Sequence, residues 1–254
     1  MIQFFRRIRR NLLVENKFSK YLLYALGEIL LVVIGILIAL AINNANQKRI
    51  NKKNEQLYLS GLKEEFSTSK TKLNELIRVN QYNLIGANKI LAYAMHKNET
   101  PTEIEFSELL YNTFASDIAF NPNNSLLMEI INSGNLKNIS DAELRIRLTN
   151  WISTLEDISR QEKDLAVQRK EVLDMFRTDK NSLRTIFQHA GVHKSLNLPE
   201  VENEISNLNL LKSVEFENNV LMFILSSYAT EDTHYRPLME TIDAVLLSIE
   251  KELK

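Results

Sequence analysis

The chain has 254 residues, with 31 Lys and Arg against 32 Asp and Glu and a formal net charge of −1. That balance gives no electrostatic footprint for nucleic acid, which calls for a basic face. The absence of cysteine excludes disulfides, thiol nucleophiles and cysteine-ligated zinc. With 6 glycines and 4 prolines, the composition points to long helices rather than many short strands.

Residues 1–21 carry six of the basic side chains, Arg6, Arg7, Arg9, Arg10, Lys17 and Lys20, against Glu15 alone. Ile2, Phe5, Ile8 and Leu12 recur between them at helical spacing. A helix lying in the headgroup region has this pattern, its apolar face in acyl chains and Arg6, Arg7, Arg9 and Arg10 on anionic lipid. The same four arginines also serve as topology signals. Leu22–Ile42 follows, 21 residues with Glu28 as the one charge and no proline. At 1.5 Å per residue it spans roughly 30 Å, about the hydrocarbon thickness of a bilayer, which predicts one transmembrane helix. Ala39-Leu40-Ala41 has the small-x-small form of a cleavage site. It sits inside an apolar run longer than a signal-peptide core, so an uncleaved anchor is expected. Six cations precede the segment, while Lys48, Arg49, Lys52 and Lys53 follow it. From Asn43 onward the remaining 25 basic residues face 30 acidic ones. The positive-inside rule favours a cytoplasmic amino terminus and an exported carboxy-terminal domain.

Glu28 needs an account, because a charge at the centre of a membrane helix costs about 2.5–3.5 kcal/mol on insertion scales. Helical steps of 7 and 11 residues return to nearly the same angle, so Tyr24, Glu28, Leu31, Gly35 and Ala39 share one face. Gly35 and Ala39 form a small-xxx-small pair that lets a second helix approach closely. One face thus holds both the residue that needs company and the residues that admit it. The arrangement predicts self-association, or docking on another membrane protein, within membrane lipid.

Residues Phe4 to Asn44, FFRRIRRNLLVENKFSKYLLYALGEILLVVIGILIALAINN, resemble the amino-terminal signature of an uncharacterised family of bacterial membrane proteins. That family, a domain of unknown function, is found mainly in Gram-negative Bacteroidetes. The matching core is Tyr24-Ala25-Leu26-Gly27-Glu28-Ile29, then Val32 to Leu40, then Ile42-Asn43-Asn44. Where the family usually has a Trp after the paired asparagines, this chain has Ala45. Ser133-Gly134-Asn135-Leu136 followed by Leu144-Arg145 is similar to a second family segment. The resemblance implies a single-pass protein of the bacterial inner membrane, and it implies no activity. With the charge distribution, it leads us to expect a periplasmic domain.

After a helical stalk over 43–60, residues 61–254 are expected to form that domain as an all-α, antiparallel bundle with short inserted helices. Leu62, Phe66, Ser69, Leu73, Leu76, Asn80, Leu84, Ala87, Leu91 and Ala94 step by three and four, an amphipathic stripe. Thr100 or Thr102 caps a short helix, and Gly134 closes another as a left-handed C-cap. Ser140-Asp141-Ala142-Glu143 reads as a capping box opening a long helix to about Asp179, with Gln161–Arg169 exposed. Ile146 is placed on its buried side. A short helix is expected from Asn181 to His189 and another from Pro199 to about Leu208. Leu210–Tyr228 then presents Val214, Phe216, Leu221, Phe223 and Leu225 inward, and Asp232–Lys254 is a separate closing helix. This gives four long helices.

The pattern offers little for catalysis. His189 and His193 have the four-residue spacing of a metal pair, but Gly191 breaks the helix between them and no carboxylate partner sits at helical spacing. No phosphate-binding glycine loop, HExxH or GxSxG occurs. We therefore expect no enzyme activity, no metal, no cofactor and no evident small-molecule substrate. The leading expectation is a non-catalytic scaffold, accessory or sensory subunit acting through protein contacts. The alternative is a subunit of a proton-motive-force-linked or transport complex that uses Glu28 in the membrane.

Overall fold

A computed structural model of the chain describes residues 18–95 and 100–253, and among them there is helix and turn but no strand. Helix α1 spans Phe18–Met95, 78 residues. It is followed by α2 (Glu103–Phe114), α3 (Ser125–Asn132), α4 (Ala142–Asp174), α5 (Leu183–His189), α6 (Val192–Ser195), α7 (Val214–Ala229) and α8 (Arg236–Glu252). Short 3-10 turns occupy Asn135–Asn138 and Leu208–Lys212, and a π-turn occupies Thr230–Tyr235. The chain divides into two compact units, Met1–Glu55 and Gln56–Lys254.

In the first unit the described residues form the amino-terminal part of α1. From Leu22 to Ile42 every Leu, Ile and Val is exposed, by 47% to 75%. A soluble core helix buries such a surface against its own fold. This one is long and apolar enough to cross a membrane, and none of its most apolar window is buried. The predicted arginine-bearing segment, with Arg6, Arg7, Arg9 and Arg10, lies outside the described residues.

In the second unit the predicted stripe on α1 is largely the core face: Leu62, Phe66, Leu73 and Ala87 are buried, as are Ser69 and Asn80. Leu76, Leu84, Leu91 and Ala94 are half-buried, whereas Ile90, outside the stripe, is fully buried. Near the start of this unit Gln56 Nε2 donates to the Glu252 carbonyl at 2.9 Å, and Leu59 is fully buried. Lys63 pairs with Glu250 at 2.9 Å and Lys70 with Asp243 at 2.6 Å. These surface pairs add little stability, but their opposite order shows that α8 runs antiparallel to α1. Helix α4 packs on α7 and α8, while α2 packs on α5.

Local capping explains several boundaries. Thr102 Oγ1 accepts from Glu105 N at 3.2 Å and Glu105 Oε2 from Thr102 N at 2.8 Å, a full capping box. Gly134 and Gly191 take left-handed backbone, with φ of 68° and 74°, where a Cβ would be strained. Other boundaries differ from expectation. Asp141, not Ser140, caps α4, accepting from Glu143 N and Leu144 N. That helix stops at Asp174, and residues 199–207 are not helical, because Asn207 is drawn into bonds with Ser182 and Glu103 instead. Val214, Leu221, Leu225 and Ile146 are exposed rather than buried.

The largest departure concerns the number of long helices. Helix α7, the π-turn and α8 form one continuous helical run over 214–252, not two helices with a break near Asp232. Pro237 lacks an N–H, and in a regular helix its ring would clash with the carbonyl four residues back. The π-turn lies directly before it and opens the hydrogen-bond ladder there, so the chain continues without a cap. Among the described residues the bundle thus has three long rods, from α1, from α4 and from α7–α8, with short helices between them.

Candidate functional site

Two places hold polar groups in unusual surroundings. The first is the face predicted on α1. Residues 18–95 are helical throughout, which places Tyr24, Glu28, Gly35 and Ala39 on one side with Leu31 at its edge. Tyr24 and Glu28 are half-buried, Leu31 is 68% exposed and Ala39 is exposed. Nothing lies within 4 Å of where a Cβ on Gly35 would stand. Ala25, Ile29, Val32 and Val33 line a shallow hollow with Glu28, and the Gly35–Ala39 step leaves room for another backbone to approach.

The second place is a buried polar cluster where α4 meets the π-turn. The widened turn directs Thr230, Glu231 and Tyr235 inward, all of them buried. Tyr235 Oη donates to Glu162 Oε1 at 2.5 Å, and the Phe120 amide donates to the same oxygen at 2.8 Å. Burial pushes the Glu162 carboxyl above its ordinary value despite these two donors, and the Asp117 carboxylate adds to the rise. Burial, then the neighbouring Glu162, pushes the Tyr235 phenol well above the usual tyrosine range. Gln161 Nε2 donates to Thr230 Oγ1 at 3.1 Å. Glu231 Oε1 accepts from Gln81 Nε2 at 2.7 Å and pairs with Arg236 at 3.1 Å, while its Oε2 is buried with no hydrogen bond. The Tyr235–Glu162, Gln161–Thr230 and Gln81–Glu231 bonds tie one rod to another. The Phe120 bond ties α4 to the loop before α3, while the Glu231–Arg236 pair stays within one rod.

The cluster overturns the expectation that Gln161–Arg169 is exposed, since Glu162 and Leu165 are buried. The sequence carried one weak signal for it: a glutamate at helical spacing from Ile158 and Leu165. The titration has a consequence. Between the ordinary glutamate value of 4.5 and the raised value in the fold, folded protein holds a proton that unfolded protein has released. Raising pH through that window favours unfolding. Thermal melts of the wild type are therefore expected to lose stability as pH climbs above about 4.5, and Glu162→Gln to remove that component. Equal pH slopes in the two proteins count against the assignment.

The histidines are dispersed. His189 Nε2 lies 3.1 Å from Glu204 Oε2, whereas His193 Nδ1 lies 3.3 Å from the Phe187 carbonyl. His234 Nδ1 lies 3.1 Å from the Ala229 carbonyl. Among the described residues no three His, Asp or Glu converge as a metal site.

Among curated proteins and solved structures, none matches the chain. The amino-terminal resemblance points instead to a family without an assigned activity. A family model matches residues 28–162, more than half of the length, and the chain belongs to that family, the family of unknown function DUF6090.

Proposed function

We propose that this protein is a membrane-anchored, non-catalytic helical subunit that acts through protein–protein contacts as a scaffold, accessory or sensory component. The exposed apolar face of α1 carries the reading. Fourteen Leu, Ile and Val side chains between Leu22 and Ile42 stay open, and covering them needs acyl chains or another protein. Tyr24, Glu28, Leu31, Gly35 and Ala39 form the contact face, toward a second copy or another membrane protein. The cations before Leu22 favour an amino terminus in the cytoplasm and a bundle on the periplasmic side of a bacterial inner membrane. Arg6, Arg7, Arg9 and Arg10 would sit at lipid headgroups. The buried Glu162, Tyr235 and Thr230 join the rods of the bundle through hydrogen bonds, which supports contact rather than chemistry as its role.

The test is self-association of the full-length chain in bilayers, read by single-molecule photobleaching and co-purification. Gly35→Leu blocks close approach, and Glu28→Gln removes the charge. Each is expected to weaken association about tenfold. Unchanged association in both variants rejects the contact face. Intact assembly with loss of a proton-dependent phenotype in Glu28→Gln would favour the proton-motive alternative.

A further inference from the structure

A cavity of about 390 Å³ opens between α2, the carboxy-terminal end of α4, and the short helices α5 and α6. Its walls are Leu110, Phe114, Leu173, Phe176, Ile186 and Phe187, and its charged lining groups are Arg169 and Arg177. The volume falls within the range of small-molecule sites, about 300–1,000 Å³. Taking a methylene as about the size of one water, ~30 Å³, the space suits a chain of roughly a dozen carbons.

The arginines are placed unequally. Arg169 is half-buried, with Nε donating to the Phe114 carbonyl at 2.7 Å and Nη2 to the Ala115 carbonyl at 3.1 Å. Those carbonyls end α2, where a cation is favoured. The two bonds fix the guanidinium plane against the wall and leave the Nη1 edge for an acceptor. Arg177 is 67% exposed and pairs with Asp174 at 3.2 Å. Asp174 is also engaged by Lys170, so its negative charge is shared between two cations. A pre-positioned arginine beside an apolar cavity matches a ligand with one anionic group on one hydrocarbon chain.

We propose that this cavity binds a single-chain anionic amphiphile, its hydrocarbon among Phe114, Leu173, Phe176 and Ile186 and its carboxylate on Arg169, with Arg177 assisting at the rim. This goes beyond the contact role assigned to α1 and does not depend on it. It also supplies a small-molecule ligand class that the sequence pattern did not suggest.

The chain lacks cysteine, so an introduced cysteine carries one label. Leu196 lines the cavity and is 54% exposed. Full-length protein in phosphatidylcholine nanodiscs would carry an environment-sensitive fluorophore at Leu196→Cys, or at Ser67→Cys on exposed α1 as a partition control. Decanoate, decanol and decyltrimethylammonium are titrated. The expected result is a saturable response to decanoate at position 196, with no matching response at position 67. Decanol should bind about tenfold more weakly, and the cation weaker still. Val192→Trp, which fills the cavity from its lining, should abolish the response. Arg169→Gln should weaken it about tenfold. Because Arg169 also holds the end of α2, Arg177→Gln provides a variant that leaves those bonds intact, and it should weaken binding severalfold. Equal responses at both labels, equal affinity for decanoate and decanol, or an unaltered response in Val192→Trp overturns the proposal.

Discussion

Replacing Glu65 with alanine is expected to release the amino terminus of α3 and lower the stability of the bundle by about 3 kcal/mol. The first free amides of a helix need acceptors, which a residue at the cap usually provides. Here Asn124 occupies that position but makes no side-chain cap bond. Its Oδ1 accepts instead from Trp151 Nε1 at 2.9 Å. The cap comes from α1: Glu65 Oε1 accepts from Leu126 N at 2.7 Å and Oε2 from Leu127 N at 3.2 Å. Glu65 is buried, so water does not replace it when the carboxylate is removed. The negative charge also faces the positive end of the α3 dipole. Hydrogen exchange is the direct readout. Peptides covering residues 122–133 should lose protection in Glu65→Ala, and Glu65→Gln should fall between, since its amide keeps one acceptor. Undiminished protection at Leu126 and Leu127 would show that α3 is capped some other way.

Gly86→Ala is expected to destabilise by about 2 kcal/mol, although alanine is the better helix former by about 1 kcal/mol. Gly86 lies within α1 where α2 crosses closely. A Cβ there would stand 2.1 Å from Thr113 Oγ1 and 3.2 Å from Thr113 Cβ. Thr113 cannot swing away freely, because its hydroxyl donates to the Leu109 carbonyl at 2.7 Å and a β-branched side chain on a helix has few rotamers. Thr113→Ala should therefore rescue Gly86→Ala in a double-mutant cycle, with a coupling energy of about 1–2 kcal/mol. Gly61 is the contrast: its added Cβ would meet only the flexible Leu126 Cδ2, at 2.3 Å, with Leu126 Cγ at 3.8 Å. Gly61→Ala should be nearly neutral in the same melts. A stabilising Gly86→Ala would refute the close crossing.

The two results bear on the order in which the bundle is specified. Glu65 and Gly86 both sit on α1, and each acts on a different short helix, α3 or α2. In the sequence they look like a surface glutamate and a weak point in a helix. Their meaning comes from partners 61 and 27 positions away, Leu126 and Thr113. Glu162 behaves the same way: its partners Phe120 and Tyr235 are 42 and 73 positions distant.

What the sequence alone determined is what depends on near neighbours. The apolar run of Leu22–Ile42 announced a helix long enough for a bilayer, since 21 residues with Glu28 as the one charge leave few alternatives. The three-and-four spacing from Leu62 to Ala94 foretold the core face of α1, and Thr102, Gly134 and Gly191 marked helix ends through backbone rules that act within a turn. The expected membership of an uncharacterised family of unknown function agrees with the family match over residues 28–162. Only the tertiary structure decided how the rods are counted, which polar residues are buried and where a cavity remains. Pro237 and Asp232 resemble a helix start until the π-turn shows that the chain runs through them. Leu221 and Leu225 look like core until the fold leaves both exposed on α7. The reason is physical: periodicity reports one helix at a time, whereas burial of Glu65 or Glu162 requires hydrogen-bond partners from other helices. The cavity at Arg169 is likewise space left between four helices, and no local pattern encodes it.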